Sequence, residues 1–294
     1  MIPSLSSIQR YICPQVFEVW NERYQKAPSK LAQAAIKAAI VMYSLVKEMV
    51  ASLYFGFEKL ARSLFYLHAQ ERVVNKDWLV FKPTADESKI KGHVVLIHGY
   101  LHDEGCWTPW VKDLLSAGMA VYIPRLDQFH RHGISDYTQK IRELIERDIE
   151  YSTQDASLRR VPIHLMGHSM GGLISCDLAG QKPESFATVS AIGAPLHGAM
   201  SLAHLPAFIH PCVRHMTPGH EVTDNIRREL KASRAKFLFF SGEFDFIVPP
   251  SSAYSREHLN SHVFVKYCGH LYLMRDEKVR QMAIEQITHF SEWG

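Results

Sequence analysis

No uncharged stretch of this chain approaches the roughly 20 apolar residues that a bilayer-spanning helix needs. The opening Met1-Ile-Pro-Ser-Leu-Ser-Ser7 lacks the basic start and apolar core of a secretory leader. The five cysteines (Cys13, Cys106, Cys176, Cys212 and Cys268) are odd in number and widely spaced, which excludes a disulfide framework and points to a reducing compartment. A surplus of one charge is missing as well. With 33 basic and 30 acidic side chains the net charge is +3, too balanced to call for nucleic acid. Seventeen histidines are present, but none falls in an H-E-x-x-H or Cys/His zinc spacing, so no metal is expected. No nucleotide-binding glycine loop, internal repeat or low-complexity tract occurs, and no cofactor is expected. The expected location is cytoplasmic.

What is present is a chain of 294 residues, 47% of them apolar, enough to bury a large core. From Gly92 onward, short apolar runs alternate with helical patterns. Strands are expected at Val94–Ile97, Ala120–Ile123, Ile163–Met166, Phe186–Ile192, Lys236–Phe240 and His262–Tyr267. Helices are expected at Trp107–Ala117, Ser135–Tyr151 and Asp276–Phe290, and residues 76–83 read as an edge strand. Strands alternating with helices imply an α/β fold with a mostly parallel, doubly wound sheet covered on both faces. The main α/β domain so delimited is 76–294, preceded by a helical extension over residues 1–75.

The extension carries a short helical pattern through Val16, Phe17, Trp20 and Tyr24, then a long apolar stripe from Leu31 to Leu67. The polar side of that stripe is mostly basic. Packing on the catalytic domain and peripheral membrane contact through residues 30–68 both fit such a face.

The chemistry concentrates at Gly167-His168-Ser169-Met170-Gly171. An apolar strand precedes this pentapeptide, and Met170, Leu173, Ile174 and Leu178 follow it at helical spacing. A nucleophilic serine needs a tight strand-to-helix turn that lifts its hydroxyl off the backbone, with glycines where side chains would collide. A serine hydroxyl also needs a base, and the base an orienting acid. Asp245 follows the strand Phe237–Phe240 and a Ser-Gly turn, ahead of the nearby Glu243 and the distant Asp224 as the acid. His270 follows the last strand and the turn-permitting Gly269, which singles it out as the base. The order Ser169, Asp245, His270 is the one this architecture uses. The N–H of Met170 and that of Tyr100, in the loop His98-Gly99-Tyr100-Leu101, are the expected oxyanion donors. His98 and His168 are read as structural.

Together, His98-Gly99, Gly167 to Gly172, Asp245 and Gly269-His270 resemble the α/β-hydrolase fold. Ile192-Gly-Ala-Pro-Leu-His-Gly198 is similar to a G-[ST]-P-[HL]-x-G segment of bacterial triacylglycerol lipases and related serine esterases, and Met216-Thr-Pro-Gly219 to Leu230 resembles that family's segment after the lid. The resemblance spans roughly residues 90–290 in order and spacing. It implies a carboxylic-ester hydrolase of the lipase or esterase type working through an acyl-enzyme on Ser169. The apolar, proline-punctuated stretch Ala199–Val213 makes 199–230 a candidate lid over a lipid-like acyl ester. Two alternatives stay open: the same residues serve a serine acyltransferase or thioesterase, and a hydrolase-like body could act without catalysis, docking a membrane or a partner.

Overall fold

The computed structural model describes residues 30, 33–35, 38–39, 41–43, 45–49, 51, 72–74, 76–84, 86–127, 131–150, 161–203 and 210–292. The helical pattern expected before Pro28, the second half of the long apolar stripe and Cys13 lie outside them. The described residues between 30 and 51 are helical. Four cysteines, Cys106, Cys176, Cys212 and Cys268, are buried.

Among the described residues eight strands form one sheet: β1 (Arg72–Val74), β2 (Trp78–Phe81), β3 (Gly92–Ile97), β4 (Met119–Pro124), β5 (Ile163–His168), β6 (Thr188–Ile192), β7 (Lys236–Gly242) and β8 (His262–Val265). Their order is β1-β2-β4-β3-β5-β6-β7-β8. β1 and β2 pair antiparallel with each other, and β2 antiparallel with β4; every other pairing is parallel. β2 is therefore an inner strand and not the expected edge, because β1 covers its outer side.

From Gly92 onward the described residues form the α-helices α1 (Thr108–Ser116), α2 (Ile134–Ile145), α3 (Met170–Gln181), α4 (Met200–Ala203), α5 (Pro211–His215), α6 (Glu221–Glu229) and α7 (Glu277–Glu292). The helix expected over 135–151 changes at Ile145 into a π turn, Glu146–Glu150. α2 starts where Gly133 N–H donates to the Asp136 carboxylate at 2.9 Å. Its buried Tyr137, Ile141, Leu144 and Ile145 recur at helical spacing and turn one face to the core.

The central strands are buried on both faces, and the period of two sends alternate residues to opposite cores. Val95, Ile97, Leu165, Ala191 and Phe239 join Tyr137, Ile141, Leu173, Ile174 and Ile226 on the α2, α3 and α6 side. Val94, Leu96, Met166, Ile192 and Phe240 join Trp107, Trp110, Leu114, Val279, Ala283 and Ile287 under α1 and α7. Several histidines belong to this packing. His164, on β5, shares a 2.9 Å hydrogen bond with the Thr188 hydroxyl, and burial, helped by neighbouring His93, pushes its pKa down to about 3. It is a neutral core side chain.

The chain leaves β3 toward β4 on one side and places β5 on the other. The crossover direction reverses there, so the carboxyl ends of β3 and β5 open a crevice. The loop His98–Leu101 follows β3, and Ser169 follows β5. The later part of the expected lid is not a free flap. Cys212, Val213, Met216, Ile226 and Leu230 are buried in the main core, so 211–230 forms part of the body. Residues 204–209 lie outside those described.

Candidate active site

Ser169 stands between β5 and α3 with φ 54° and ψ −119°, a left-handed conformation rare for a residue with a side chain. Only Leu101 and Tyr267 share a positive φ among the described non-glycine residues; one is in the loop after β3, the other three positions before His270. The turn is held by Ser169 N–H donating to the Ile192 carbonyl at 2.8 Å and by Gly172 and Leu173 N–H donating to the Ser169 carbonyl. The pentapeptide glycines are required sterically. A Cβ on Gly167 would overlap the Gly171 carbonyl, and one on Gly171 would overlap the Ile97 carbonyl. A Cβ on Gly172 would come within 2.6 Å of the Ala194 methyl.

The loop after β3 closes on the serine. The Cβ position of Gly99 is 3.0 Å from Ser169 Cβ, closer than ordinary van der Waals contact, so a side chain there would press the loop away from the serine. His98 Nδ1–H donates to the Gly99 carbonyl at 3.0 Å and shapes that loop. Tyr100 comes next, its hydroxyl hydrogen-bonded to His210 Nδ1 at 3.1 Å. Met170 opens α3, where the first N–H groups have no carbonyl within the helix to bond.

Asp245 and His270 are brought together from loops 25 residues apart. His270 Nδ1 lies 2.7 Å from Asp245 Oδ2. The other oxygen, Oδ1, accepts from Ile247 N–H at 3.0 Å and Val248 N–H at 2.7 Å, which locks the carboxylate. Both residues are buried, as is Ser169. Burial alone would disfavour a charged imidazole. The Asp245 charge, its hydrogen bond and the charge of Glu48 outweigh burial and raise the His270 pKa above the usual imidazole value.

The strand-end glycine of β6 completes the approach: Gly193, at φ 59°, would place a Cβ 3.3 Å from His270 Cε1 and Nδ1. His168, beside the serine, touches His270 directly. Its ring centroid is 4.7 Å away, and Nε2–H donates to the His270 carbonyl at 3.0 Å. Burial, followed by the neighbouring His270 and His102, drives the His168 pKa well down, so it stays neutral, stacked on His102 at 5.3 Å.

The segment 192–198 braces the site from behind. Ser252, past the Asp245 loop, donates to the Gly198 carbonyl and accepts from His197 N–H at 3.2 Å. A Cβ on Gly198 would overlap Pro218, which ties this segment to 216–219. A separate hollow of about 570 Å³, lined by His197, Glu221, Asp224, Arg227, Lys231, Glu257 and others, holds none of Ser169, Asp245 or His270.

With that geometry in hand, comparison with known proteins is decisive on the family. Residues 94–256, more than half of the 294, match the model of the alpha/beta hydrolase family. The chain belongs to the alpha/beta hydrolase family. Among solved structures it is similar to a Bacillus licheniformis lipase in mature form, at 11% identity over 71% of this chain and 97% of that one, with a TM-score of 0.58. It is similar to a Paleococcus ferrophilus monoacylglycerol lipase, at 19% identity over 75% and 100% of the two chains, with a TM-score of 0.54. Est1E of Butyrivibrio proteoclasticus aligns at 16% identity over 74% and 98%, with a TM-score of 0.54. At these identities the three show a shared hydrolase fold. Comparison with curated protein sequences yields no match.

One residue of the site had no signal in the sequence. Glu48, from the helical segment before the hydrolase body, accepts N–H bonds from Leu271 and Tyr272, next to His270. It lies outside the family match, on a helix whose pattern marks it only as a polar position.

Proposed function

We propose that this hydrolase cleaves carboxylic esters through an acyl-enzyme on Ser169. The observation that carries the reading is the 2.7 Å bond from His270 Nδ1 to a locked Asp245, together with a serine held at φ 54° in a strand-to-helix turn. With Nδ1–H donating to Asp245, Nε2 is the basic nitrogen. It takes the Ser169 proton as Oγ attacks the ester carbonyl, then returns a proton to the departing alcohol. In this reading the N–H groups of Met170 and Tyr100 receive the oxyanion of the tetrahedral intermediate. Asp245 holds the imidazole in the required tautomer and stabilises the imidazolium. Hydrolysis of the acyl-enzyme repeats these steps with water as the nucleophile.

A lipid-like acyl group is supported by the apolar side chains on the loops around the site. Leu101 follows the oxyanion loop, Phe246 and Ile247 follow Asp245, Met200 follows the Gly198 turn, and all four are exposed. Ser201 Oγ donates to the Ile247 carbonyl at 2.9 Å, so the last two loops adjoin. Peripheral membrane contact is supported by exposed Met42, Leu45, Val46 and Met49 on the N-terminal helical segment. Among the described residues no helix is long and apolar enough to cross a membrane.

The test is hydrolysis of p-nitrophenyl esters of increasing chain length, with and without liposomes. The reading expects turnover that Ser169→Ala abolishes, favouring long chains and rising with liposomes. Short-chain preference unaffected by liposomes would remove the lipid assignment, and absence of turnover on every ester would remove the esterase.

A further inference from the structure

The helical segment before the hydrolase body meets that body at the loop bearing His270. Lys47, Glu48 and Ala51, spaced to share one helix face, make the contact. Ala51 is buried, and Lys47 Nζ sits 3.7 Å from the centroid of the Tyr272 ring. Glu48 Oε1 accepts from Leu271 N–H at 2.5 Å, and Oε2 accepts from Tyr272 N–H at 3.1 Å. The fit extends to the residue before the histidine: a Cβ on Gly269 would fall 2.6 Å from Glu48 Cδ and overlap its Oε2. The carboxylate thus fills the space that Gly269 leaves empty. Met42, Leu45, Val46 and Met49 lie on the opposite face of the helix, exposed.

We propose that Glu48 is a positioning residue for His270: its carboxylate clamps the backbone directly after the imidazole, packs against Gly269 before it and sets a second negative charge near it. Asp245 grips the ring from one side through Nδ1, while Glu48 fixes the main chain that presents the ring. Apart from the clamp, residues 269–272 are held by Leu273 N–H bonding the Gly269 carbonyl, by His168 Nε2–H bonding the His270 carbonyl, by Asp245 on the imidazole and by the short turn at Tyr272. The hydrolase body is in this sense completed from outside the segment that matches its family.

Among the described residues, the charged and titratable groups facing His270 are Asp245, Glu48 and His168, the last kept neutral by burial. Those acting on Glu48 are His270 and Asp245, while Lys47 stands beside it and Cys268 lies on the same loop. Burial raises the Glu48 pKa, opposed by its two backbone hydrogen bonds and by the His270 charge. The carboxylate therefore favours an imidazolium at His270, and replacing it by an amide lowers the pH at which His270 loses its proton.

The effect on turnover rests on the ester-hydrolase reading, whereas the effect on the imidazole does not, and the test separates them. The full chain is labelled with 13C,15N-histidine, His270 is assigned with His270→Gln, and its imidazole is titrated by NMR in wild type, Glu48→Gln and Glu48→Asp. The expected result is a lower His270 midpoint in Glu48→Gln, with kcat on a p-nitrophenyl ester down about ten- to a hundredfold and KM little changed. Glu48→Asp keeps the charge but falls one methylene short, so its midpoint stays near wild type while kcat drops. It also serves as the informative variant if Glu48→Gln fails to fold. Gly269→Ala displaces the same carboxylate, so its loss and that of Glu48→Gln are less than additive in kcat. A folded Glu48→Gln with wild-type midpoint and wild-type kcat overturns the proposal. A moved midpoint in a protein whose wild type cleaves no ester overturns the esterase reading and leaves the clamp standing.

Discussion

Asp245 bonds His270 with one carboxylate oxygen and its own loop with the other. Oδ2 meets the imidazole at 2.7 Å, and Oδ1 is saturated by the N–H groups of Ile247 and Val248. This division of labour makes Asp245→Asn an informative substitution. The two N–H donors oblige the amide oxygen to stay at the Oδ1 position, so the NH2 group is turned toward His270. A donor there selects the imidazole tautomer with its proton on Nε2, which cannot accept the Ser169 proton. Loss of kcat on the order of 10⁴-fold is expected with little change in thermal stability, measured on a p-nitrophenyl ester.

The same pair sets the pH dependence. The His270 pKa is raised because the Asp245 charge and hydrogen bond and the Glu48 charge outweigh burial. On the proposed reading His270 is the base and works in its neutral form, so kcat/KM is expected to fall as the pH drops through a value above that of an ordinary imidazole. Taking away Asp245 removes the largest raising influence. The residual activity of Asp245→Asn therefore keeps its acid limb at lower pH than wild type. A limb at unchanged pH in the kcat/KM profile would assign it to another group.

The serine's backbone stores strain that glycine would release. At φ 54° and ψ −119° a side chain costs on the order of 1–3 kcal/mol. Ser169→Ala keeps the Cβ and the strain, while Ser169→Gly removes both. Both variants lose activity, and Ser169→Gly is expected to melt higher than Ser169→Ala by roughly 2 °C, the equivalent of about 1 kcal/mol in a chain of this size. Equal melting temperatures would show that the turn is relaxed.

Behind the histidine loop, Trp110 Nε1 donates to the Met274 carbonyl at 3.0 Å, and the indole is fully buried between α1 and α7. Trp110→Phe leaves that carbonyl without its donor and opens a cavity, for an expected loss of about 2–3 kcal/mol in denaturant unfolding.

Much of this site could be read along the chain because its signals are local. The glycines around Ser169 prevent overlaps with carbonyls that lie next to the turn in any strand-to-helix elbow, so the pattern carries its own steric cause. Asp245 and His270 each follow an apolar strand and a glycine, and chain order did the rest. The sheet's outer region was less legible. Trp78–Phe81 alternates like an edge strand, but whether anything pairs outside it depends on Arg72–Val74, a partner set by long-range register and not by its own pattern. The end of α2 at Ile145 was hidden because the apolar spacing continues through Ile149 into the π turn. Glu48 was hidden for a stronger reason. Its partners Leu271 and Tyr272 are more than 220 positions away, they contribute only backbone N–H groups, and no residue type in the sequence records such a contact.

The central claim, that Ser169 is the nucleophile and His270 its base, is tested most directly by a fluorophosphonate probe with peptide mapping of the adduct. The predicted result is one adduct per chain on Ser169, abolished by Ser169→Ala and slowed by several orders of magnitude in His270→Ala. An unlabelled wild type, or an adduct on any other residue, would contradict it.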